Sequence, residues 1–261
     1  MIEIKNLSEL KKIELDILRS FHAFCKENSL KYYLAYGTLL GAVRHGGFIP
    51  WDDDIDVVMP RPDYERFIKE YKNDIYQVYD LSKKGYFYPF AKLCDSRTVL
   101  IEDTVVKSKM GVYIDIFPMD GVPDDYKVQN AKIKRLVRLQ QHKYSSFSRK
   151  RSLIKKILLP IVKILLLPVS CQRLGKRMTA EAKKYSYGAT DLVGCVCEDV
   201  CSKAFFKKSV VEPLGEIEFE GYTFCAPSDI HTYLTVNYGD YMKLPPIEQQ
   251  NSKHNFKAYW I

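Results

Sequence analysis

The segment Asp52 to Val57, which reads D-D-D-I-D-V, constrains the fold of this chain more than any other. An extended backbone turns successive side chains to opposite faces. Asp54 and Asp56 would then share one face, joined by Asp52 if the strand begins early enough. Ile55 and Val57 would point into a core. The pattern therefore predicts a half-buried strand with carboxylates crowded on its other face.

Crowded carboxylates repel one another unless a cation offsets their charge. A third acid, Asp115, lies in V-Y-I-D-I-F, among β-branched and aromatic residues typical of a buried strand. A lone acid there needs a reason, which is either a structural salt bridge or a shared cation. Hard divalent ions prefer oxygen ligands. The acids predict a Mg²⁺ site, with Mn²⁺ as a substitute, on Asp54, Asp56 and Asp115.

A calcium-binding loop is a competing interpretation, because the alternate acids from Asp52 to Asp56 match the first three ligands of an EF-hand. The sixth position of such a loop requires glycine for a sharp turn, and here it is Val57. Pro60 and Pro62 would also break the exit helix. The sequence therefore argues against calcium sensing.

The segment Tyr36 to Arg44, Y-G-T-L-L-G-A-V-R, places Gly37 and Thr38 at a strand-to-helix junction fifteen residues before the acids. Backbone amides at a helix N-terminus can hold phosphate, although such a pair alone is also compatible with a plain turn. Arg44, with Lys92 as a second candidate, is the predicted cation for neutralising phosphate charge. His45 and His254 are candidates for proton transfer, or simply surface hydrogen-bonding groups.

The order of elements predicts an α/β (α+β) fold, with a mixed sheet core and flanking helices. The expected division is a catalytic core over 1–123, a basic helical segment over 124–187 and a C-terminal part over 188–261 that packs on the core. Helices are predicted over 8–27, 38–43, 62–71 and up to Tyr238, with Ser8 and Ser228 as caps; strands over 32–36, 55–59, 91–94 and 112–117; and a hairpin within 216–224.

Charge is distributed unevenly around the net value of +8. From Lys127 to Lys184 there are seventeen Lys or Arg residues and one acid, Glu181. This excess suggests an anionic membrane surface or another polyanion, and a solvated helical face is the alternative. The apolar run 157–169 is too short to span a bilayer, so it predicts either an interfacial helix or a buried one. No nucleic-acid-binding motif is recognised, and nucleic acid is not an expected partner.

The N-terminal residues lack the apolar run of a secretory signal, so we expect a cytoplasmic protein, with peripheral binding at the inner face of the membrane as an open alternative. Seven cysteines without an export signal predict reduced thiols. Cys195, Cys197 and Cys201, with Cys225, are a zinc-binding alternative to simple apolar packing.

The stretch from Gly37 to Tyr64, G-T-L-L-G-A-V-R-H-G-G-F-I-P-W-D-D-D-I-D-V-V-M-P-R-P-D-Y, closely resembles the signature of the LicD family of phosphocholine transferases. The resemblance continues over Phe90–Glu102, Ile114–Pro118 and Tyr238–Pro246, and so covers nearly the whole chain. It implies a nucleotidyltransferase-like fold, whose Gly-Thr and aspartate pattern falls on Gly37, Thr38, Asp54, Asp56 and Asp115.

The same resemblance implies transfer of a phospho-alcohol, phosphocholine first among them, from a cytidine diphosphate (CDP) donor to a hydroxyl of a cell-surface glycan or its lipid-linked precursor. Lipopolysaccharide and teichoic acid are acceptors of this kind. Asp52 or Asp115 would take the hydroxyl proton. A quaternary ammonium would contact aromatic rings, and those nearest the motifs are Trp51, Tyr86, Tyr88 and Tyr113.

Two alternatives remain open at this point. The first keeps the fold and transfers a nucleotide, in which case pyrophosphate is released instead of cytidine monophosphate (CMP). The second is a non-enzymatic module that binds polyanions through Lys127 to Lys184, although this leaves the aspartate cluster without a function. The sequence does not distinguish choline from ribitol, glycerol or ethanolamine.

Overall fold

The computed structural model describes residues 1–102, 110–144, 169–197, 205–251 and 256–261. Within these ranges, helices and strands alternate over residues 2–79, three further strands follow before the next helix, and a strand hairpin precedes the last α-helix. The helices are α1 (Leu7–Glu27), α2 (Tyr36–His45), α3 (Arg61–Glu70), α4 (Tyr126–Tyr144), α5 (Cys171–Ala182), α6 (Lys208–Val211) and α7 (Ile230–Tyr238). The strands are β1 (Ile2–Ile4), β2 (Tyr33–Leu34), β3 (Asp56–Pro60), β4 (Tyr76–Tyr79), β5 (Ala91–Asp95), β6 (Thr98–Glu102), β7 (Tyr113–Val122), β8 (Leu192–Gly194), β9 (Phe206–Lys207), β10 (Gly215–Phe219), β11 (Tyr222–Ala226) and β12 (Phe256–Trp260).

The central sheet has the strand order β2-β3-β7-β5-β4, with β8 pairing to the far end of β7 and β9 to β8. β3 and β7 run parallel, and the other pairs in this sheet are antiparallel. A second sheet, β1-β12-β6, and the hairpin β10-β11 stand apart from it. The predicted mixed α+β class is confirmed.

α1 packs across β7 and β5 with the apolar stripe predicted for it. Leu10, Ile13, Ile17 and Phe21 are all buried in the main core. Asn6, and not Ser8, caps the helix, because its side chain accepts a hydrogen bond from the amide of Ser8 at 2.9 Å.

Other element boundaries also differ from the prediction. α2 begins at Tyr36, two residues earlier than expected, and the preceding strand is limited to Tyr33–Leu34. Asp229, and not Ser228, caps α7 by accepting a hydrogen bond from the amide of Thr232 at 2.9 Å. In α1 and α7 the capping residue is the one whose side-chain oxygen reaches a free backbone amide in the first turn of the helix.

The described part of the basic segment is helical, as predicted, in α4 and α5. Most of its Lys and Arg side chains are exposed, and Glu181 pairs with Lys132 and Lys184. Nearly all of the apolar run 157–169 lies outside the described residues. Among the helices that the structure describes, none combines the length and the apolar character needed to cross a membrane.

Candidate active site

The acidic segment shows alternating burial, although β3 begins only at Asp56, so Asp52 and Asp54 precede the strand. Ile55 and Val57 are completely buried, whereas Asp52, Asp54 and Asp56 keep part of their surface exposed. The apolar side chains anchor the segment in the core and leave the alternate carboxylates on the other face. The sequence therefore fixes the direction of these acids before any ligand binds.

Asp115 lies directly beside Asp56, because the two are paired residues on the parallel strands β3 and β7. The amide of Asp115 also donates a hydrogen bond to the carbonyl of Ile55 at 2.9 Å. Paired residues of neighbouring strands point to the same face, about 4.8 Å apart. The sheet thus brings together two acids that are distant in sequence.

The N-terminus of α2 contacts this group of acids. The side chain of Thr38 is buried, and its hydroxyl oxygen accepts a hydrogen bond from the amide of Asp56 at 2.8 Å. A Cβ atom at Gly37 would lie 2.6 Å from Asp52 Oδ2, so only glycine leaves that carboxylate in place. Tyr36 adopts a φ of 45°, a left-handed conformation unusual for a large residue. Phosphate binding by Gly37 and Thr38 stays a prediction that this placement suits.

Lys92 is buried and pairs with Asp115 at 2.5 Å, between their Nζ and Oδ1 atoms. Burial is the largest single influence and would lower the pKa of Lys92, but the charge and hydrogen bond of Asp115, together with Tyr88 and Cys94, outweigh it and the pKa is raised. The ammonium also lies over the rings of Tyr113, Tyr88 and Phe90, at 3.5, 5.1 and 5.4 Å from the centroids. Lys92 therefore neutralises Asp115. A contact between Lys92 and phosphate stays a prediction.

Arg44 and His45 are the last two residues of α2, and they lie near the C-terminal segment, residues 238–251. Arg44 donates to the carbonyl of Tyr241 and to His45 Nε2, both at 3.1 Å. Burial, together with the positive charges of Arg44 and Lys11, lowers the pKa of His45, so its imidazole is neutral at pH 7. The ring of Trp51 packs edge-on against His45, with centroids 6.2 Å apart. His254 lies outside the described residues.

A cavity of about 760 Å³ opens between the motif residues and the C-terminal segment. This is a typical volume for a small-molecule site. Tyr238 is 43% exposed as a whole residue, but desolvation of its hydroxyl, and then the charges of Asp56, Asp52 and Asp54, raise its pKa. The cavity wall includes Gly37, Arg44, Trp51 and Asp52 from the motifs and Tyr238, Asp240, Tyr241, Lys243 and Glu248 from the C-terminal segment.

Of the aromatic residues proposed for a quaternary ammonium, Tyr86 belongs to the core. It is 2% exposed, and its hydroxyl donates to the carbonyl of Phe90 at 2.8 Å. Trp51 lines the cavity, whereas Tyr88 and Tyr113 surround Lys92. The candidates are therefore divided between the cavity wall, the surroundings of Lys92 and the core.

Glu14 is a residue of this region that the sequence analysis missed. It is 2% exposed on α1, and its Oε2 atom has no hydrogen-bond partner within the described part of the chain. Burial, and then the charges of Asp54 and Asp53, raise its pKa well above the ordinary value of 4.5. A signal was present, because Glu14 interrupts the apolar stripe of α1 one residue after Ile13.

Replacing Glu14 by Gln should stabilise the protein at pH 7. A raised pKa means that the protonated carboxyl contributes stability below the ordinary value of 4.5, and that this contribution is lost as pH rises through the folded-state pKa. The neutral amide avoids the loss, with an expected gain of about 1–3 kcal/mol at pH 7 and almost none near pH 4. Urea unfolding at both pH values measures this. Asp16→Asn, on the exposed side of α1, should change stability by less than about 0.5 kcal/mol.

Two further residues hold the loop that leads into the acids. Lys11 donates hydrogen bonds to the carbonyls of Ile49 and Pro50, at 2.9 and 3.1 Å. Glu220, at the tip of the β10-β11 hairpin, accepts a hydrogen bond from the amide of Phe48 at 2.9 Å. The C-terminal hairpin therefore positions the loop before Asp52, which no local sequence pattern indicated.

Arg61 and Asp120 form a buried ion pair. Arg61 Nε and Nη2 donate to the two carboxylate oxygens of Asp120 at 2.7 and 2.6 Å, and a third contact joins Arg61 to Cys197 Sγ at 3.7 Å. Arg61 begins α3, directly after β3, and Asp120 lies near the end of β7. The pair therefore ties together the far ends of the two strands that carry Asp56 and Asp115.

The described residues contain no preformed group of three His, Cys, Asp or Glu side chains placed as metal ligands. Cys225 hydrogen-bonds with Tyr32, whereas Cys197 contacts Arg61, and Cys201 lies outside the described ranges. Hard divalent ions are nevertheless bound by carboxylate oxygens, which the acids of these neighbouring strands supply. The acids Asp54, Asp56 and Asp115 fit such an ion chemically, and their role as its ligands stays a prediction.

Comparison with known proteins finds similarity over the region that contains these motifs. Residues 29–166 match the family described as LicD/FKTN/FKRP, nucleotidyltransferase domain. The lipopolysaccharide cholinephosphotransferase LicD of Haemophilus influenzae is 34% identical over 97% of this chain and 97% of its own length. An uncharacterized protein of Rickettsia typhi is 36% identical over 28% of this chain and 25% of its own.

A more distant match is mannosyltransferase regulator 4 of Saccharomyces cerevisiae, which is 31% identical over 38% of this chain and 9% of its own length. The family match includes Gly37, Thr38 and all four candidate aspartates. The full-length similarity also includes the C-terminal segment that lines the cavity. This chain belongs to the LicD family.

Proposed function

We propose that this protein transfers phosphocholine from CDP-choline to a hydroxyl group of a cell-surface glycan or its lipid-linked precursor. The observation that carries the proposal is the full-length similarity to a lipopolysaccharide cholinephosphotransferase. The site supports it, because Asp56 and Asp115 are paired on neighbouring strands beside the N-terminus of α2. The adjoining cavity is large enough for a nucleotide.

In the proposed reaction, the acceptor hydroxyl oxygen forms a bond to the phosphorus of phosphocholine. The bond from that phosphorus to the bridging oxygen of the diphosphate breaks, and CMP leaves with this oxygen. Asp52 is the better base for the hydroxyl proton, because it lines the cavity whereas Lys92 holds the carboxylate of Asp115. Arg44 lines the same cavity and offsets charge on the leaving CMP.

Asp54, Asp56 and Asp115 would hold a Mg²⁺ ion, which would supply charge neutralisation on the diphosphate. Turnover should be absent in excess chelator and return on addition of Mg²⁺ or Mn²⁺. Release of CMP, measured during a titration of each metal, tests this. Recovery with Zn²⁺ alone would instead direct attention to Cys195, Cys197 and Cys201.

The donor experiment supplies CDP-choline, CDP-ethanolamine, CDP-ribitol and CDP-glycerol in parallel, with and without candidate glycans. We expect CMP release that depends on the glycan and is fastest with CDP-choline. Release of free phosphocholine together with a nucleotide-modified acceptor would establish nucleotidyl transfer instead. Salt-dependent binding of polyanions without any turnover would favour the non-enzymatic module.

The basic segment brings this chemistry to a lipid-linked acceptor in our proposal. Each basic side chain near an anionic surface contributes roughly 1 kcal/mol, and added salt weakens the attraction. Replacing Lys150, Arg151, Lys155 and Lys156 by Gln should release the protein from anionic vesicles in a flotation assay, while leaving cleavage of the soluble donor intact. These four residues lie outside the described ranges. Retention on the vesicles, or equal loss of donor cleavage, would contradict the membrane role.

A further inference from the structure

A continuous run of aromatic rings extends from the N-terminus of α2 past Asp115 to Lys92. The ring of Phe117 contacts Tyr36 edge-on and Phe90 at an angle, with centroid distances of 5.5 and 4.5 Å. Phe90 in turn contacts Tyr88 at 5.3 Å. Tyr113 continues the run on the far side of Lys92. We call these five residues the aromatic wall.

The wall lies on the same face of the sheet as the candidate acids. Tyr113 and Phe117 are two residues before and after Asp115 on β7, so their side chains share its direction. Lys92 is paired with Asp115 across β5 and β7, and its ammonium reaches the rings of Tyr88 and Phe90, which lie in the segment before β5. The aromatic rings and the carboxylates therefore form one surface.

The wall already binds a cation from this chain. The ammonium of Lys92 lies 3.5 Å from the centroid of Tyr113, with Asp115 as its counter-ion. It lies farther from Tyr88 and Phe90, above 5 Å, and these two rings keep part of their surface exposed. Because the Lys92–Asp115 pair carries no net charge, the exposed faces of Tyr88 and Phe90 are the part of this surface that attracts a quaternary ammonium group.

Sheet order places this wall at a defined distance from the proposed nucleotide cavity. Gly37 and Asp52 line the cavity beside β3, Asp115 lies on β7, and Lys92 lies on β5. From β3 to β5 is about 10 Å, or two strand spacings. A CDP-alcohol that lay across the strands would have its nucleotide in the cavity, its diphosphate over the acids and its alcohol at the wall.

We propose that the aromatic wall, through Tyr88 and Phe90 beside Asp115, is the subsite that selects a quaternary ammonium alcohol. This inference rests on the proposed function, because it assigns one end of the proposed donor. It attributes the choice of choline over a neutral alcohol to the ring faces of Tyr88 and Phe90.

The experiment measures dissociation constants of CDP-choline, CDP-glycerol and CMP by calorimetry, without acceptor, for wild type, Tyr88→Leu, Phe90→Leu and the matched control Tyr88→Phe. The two Leu variants should bind CDP-choline about three- to thirtyfold more weakly, because each removes a ring face but keeps an apolar side chain. Their affinity for CMP and CDP-glycerol should change less than about twofold. Tyr88→Phe keeps the ring and should retain the choline preference.

Equal weakening for all three ligands, or no weakening for CDP-choline, would overturn the proposal. If a Leu variant fails to fold, the wild type still decides the question by NMR. Nuclear Overhauser effects from the N-methyl protons of bound CDP-choline to aromatic ring protons are expected, and their absence counts against the wall. If wild type neither binds nor cleaves CDP-choline, the proposed function fails. If it does both while the variants show no selectivity change, only the wall is wrong.

Discussion

Asp56→Asn and Asp54→Asn should each lower transfer by about a hundredfold or more while the protein stays folded. Each substitution removes one negative charge but keeps nearly the same shape, at positions proposed to hold the charge of the reacting diphosphate. The acids are crowded, and the charge of Asp54 helps to raise the pKa of Glu14. Removing charge there should therefore leave the melting temperature unchanged or slightly higher.

The measurements are CMP release with saturating donor and thermal unfolding followed by circular dichroism. Asp74→Asn is a suitable control, since Asp74 is an exposed acid far from the cavity. The control should transfer at the wild-type rate. Normal turnover in either site variant would remove the metal assignment, and a large fall in melting temperature would show that these acids are structural.

Arg61→Met should have the largest effect on stability, with a loss of about 3–5 kcal/mol. The side chains of Arg61 and Asp120 are only 8% and 1% exposed, and removing the guanidinium leaves the Asp120 carboxylate buried without its two hydrogen bonds. Burial already raises the pKa of Asp120 despite its partner. Urea unfolding at pH 7 gives the change in free energy of unfolding.

The same helix supplies a matched control. Arg66 pairs with Glu70 at 3.2 Å on the surface of α3, where the two side chains are 48% and 39% exposed. Arg66→Met should lower stability by less than about 1 kcal/mol, because solvent screens an exposed ion pair. Similar losses for the two variants would mean that the buried pair contributes no more than a surface one.

The acidic strand and the helices around it could be predicted because their signals are local. Alternation of acids with Ile55 and Val57 requires only a backbone of period two. The α1 stripe needs only the helical period, and both patterns agree with the burial in the structure. Short strands such as β1, β8 and β9 were not predicted, since two or three residues carry too little pattern.

The sequence alone determined which residues point toward solvent on the acidic strand, that Gly37 and Thr38 precede them, and to which family the motifs belong. Tertiary structure alone decided that Asp56 lies beside Asp115, that Lys92 neutralises Asp115, and that Glu220 holds the loop at Phe48. The physical reason is that strand pairing and burial join residues far apart in the chain. Local periodicity gives the direction of a side chain but contains no information about its partner across the sheet.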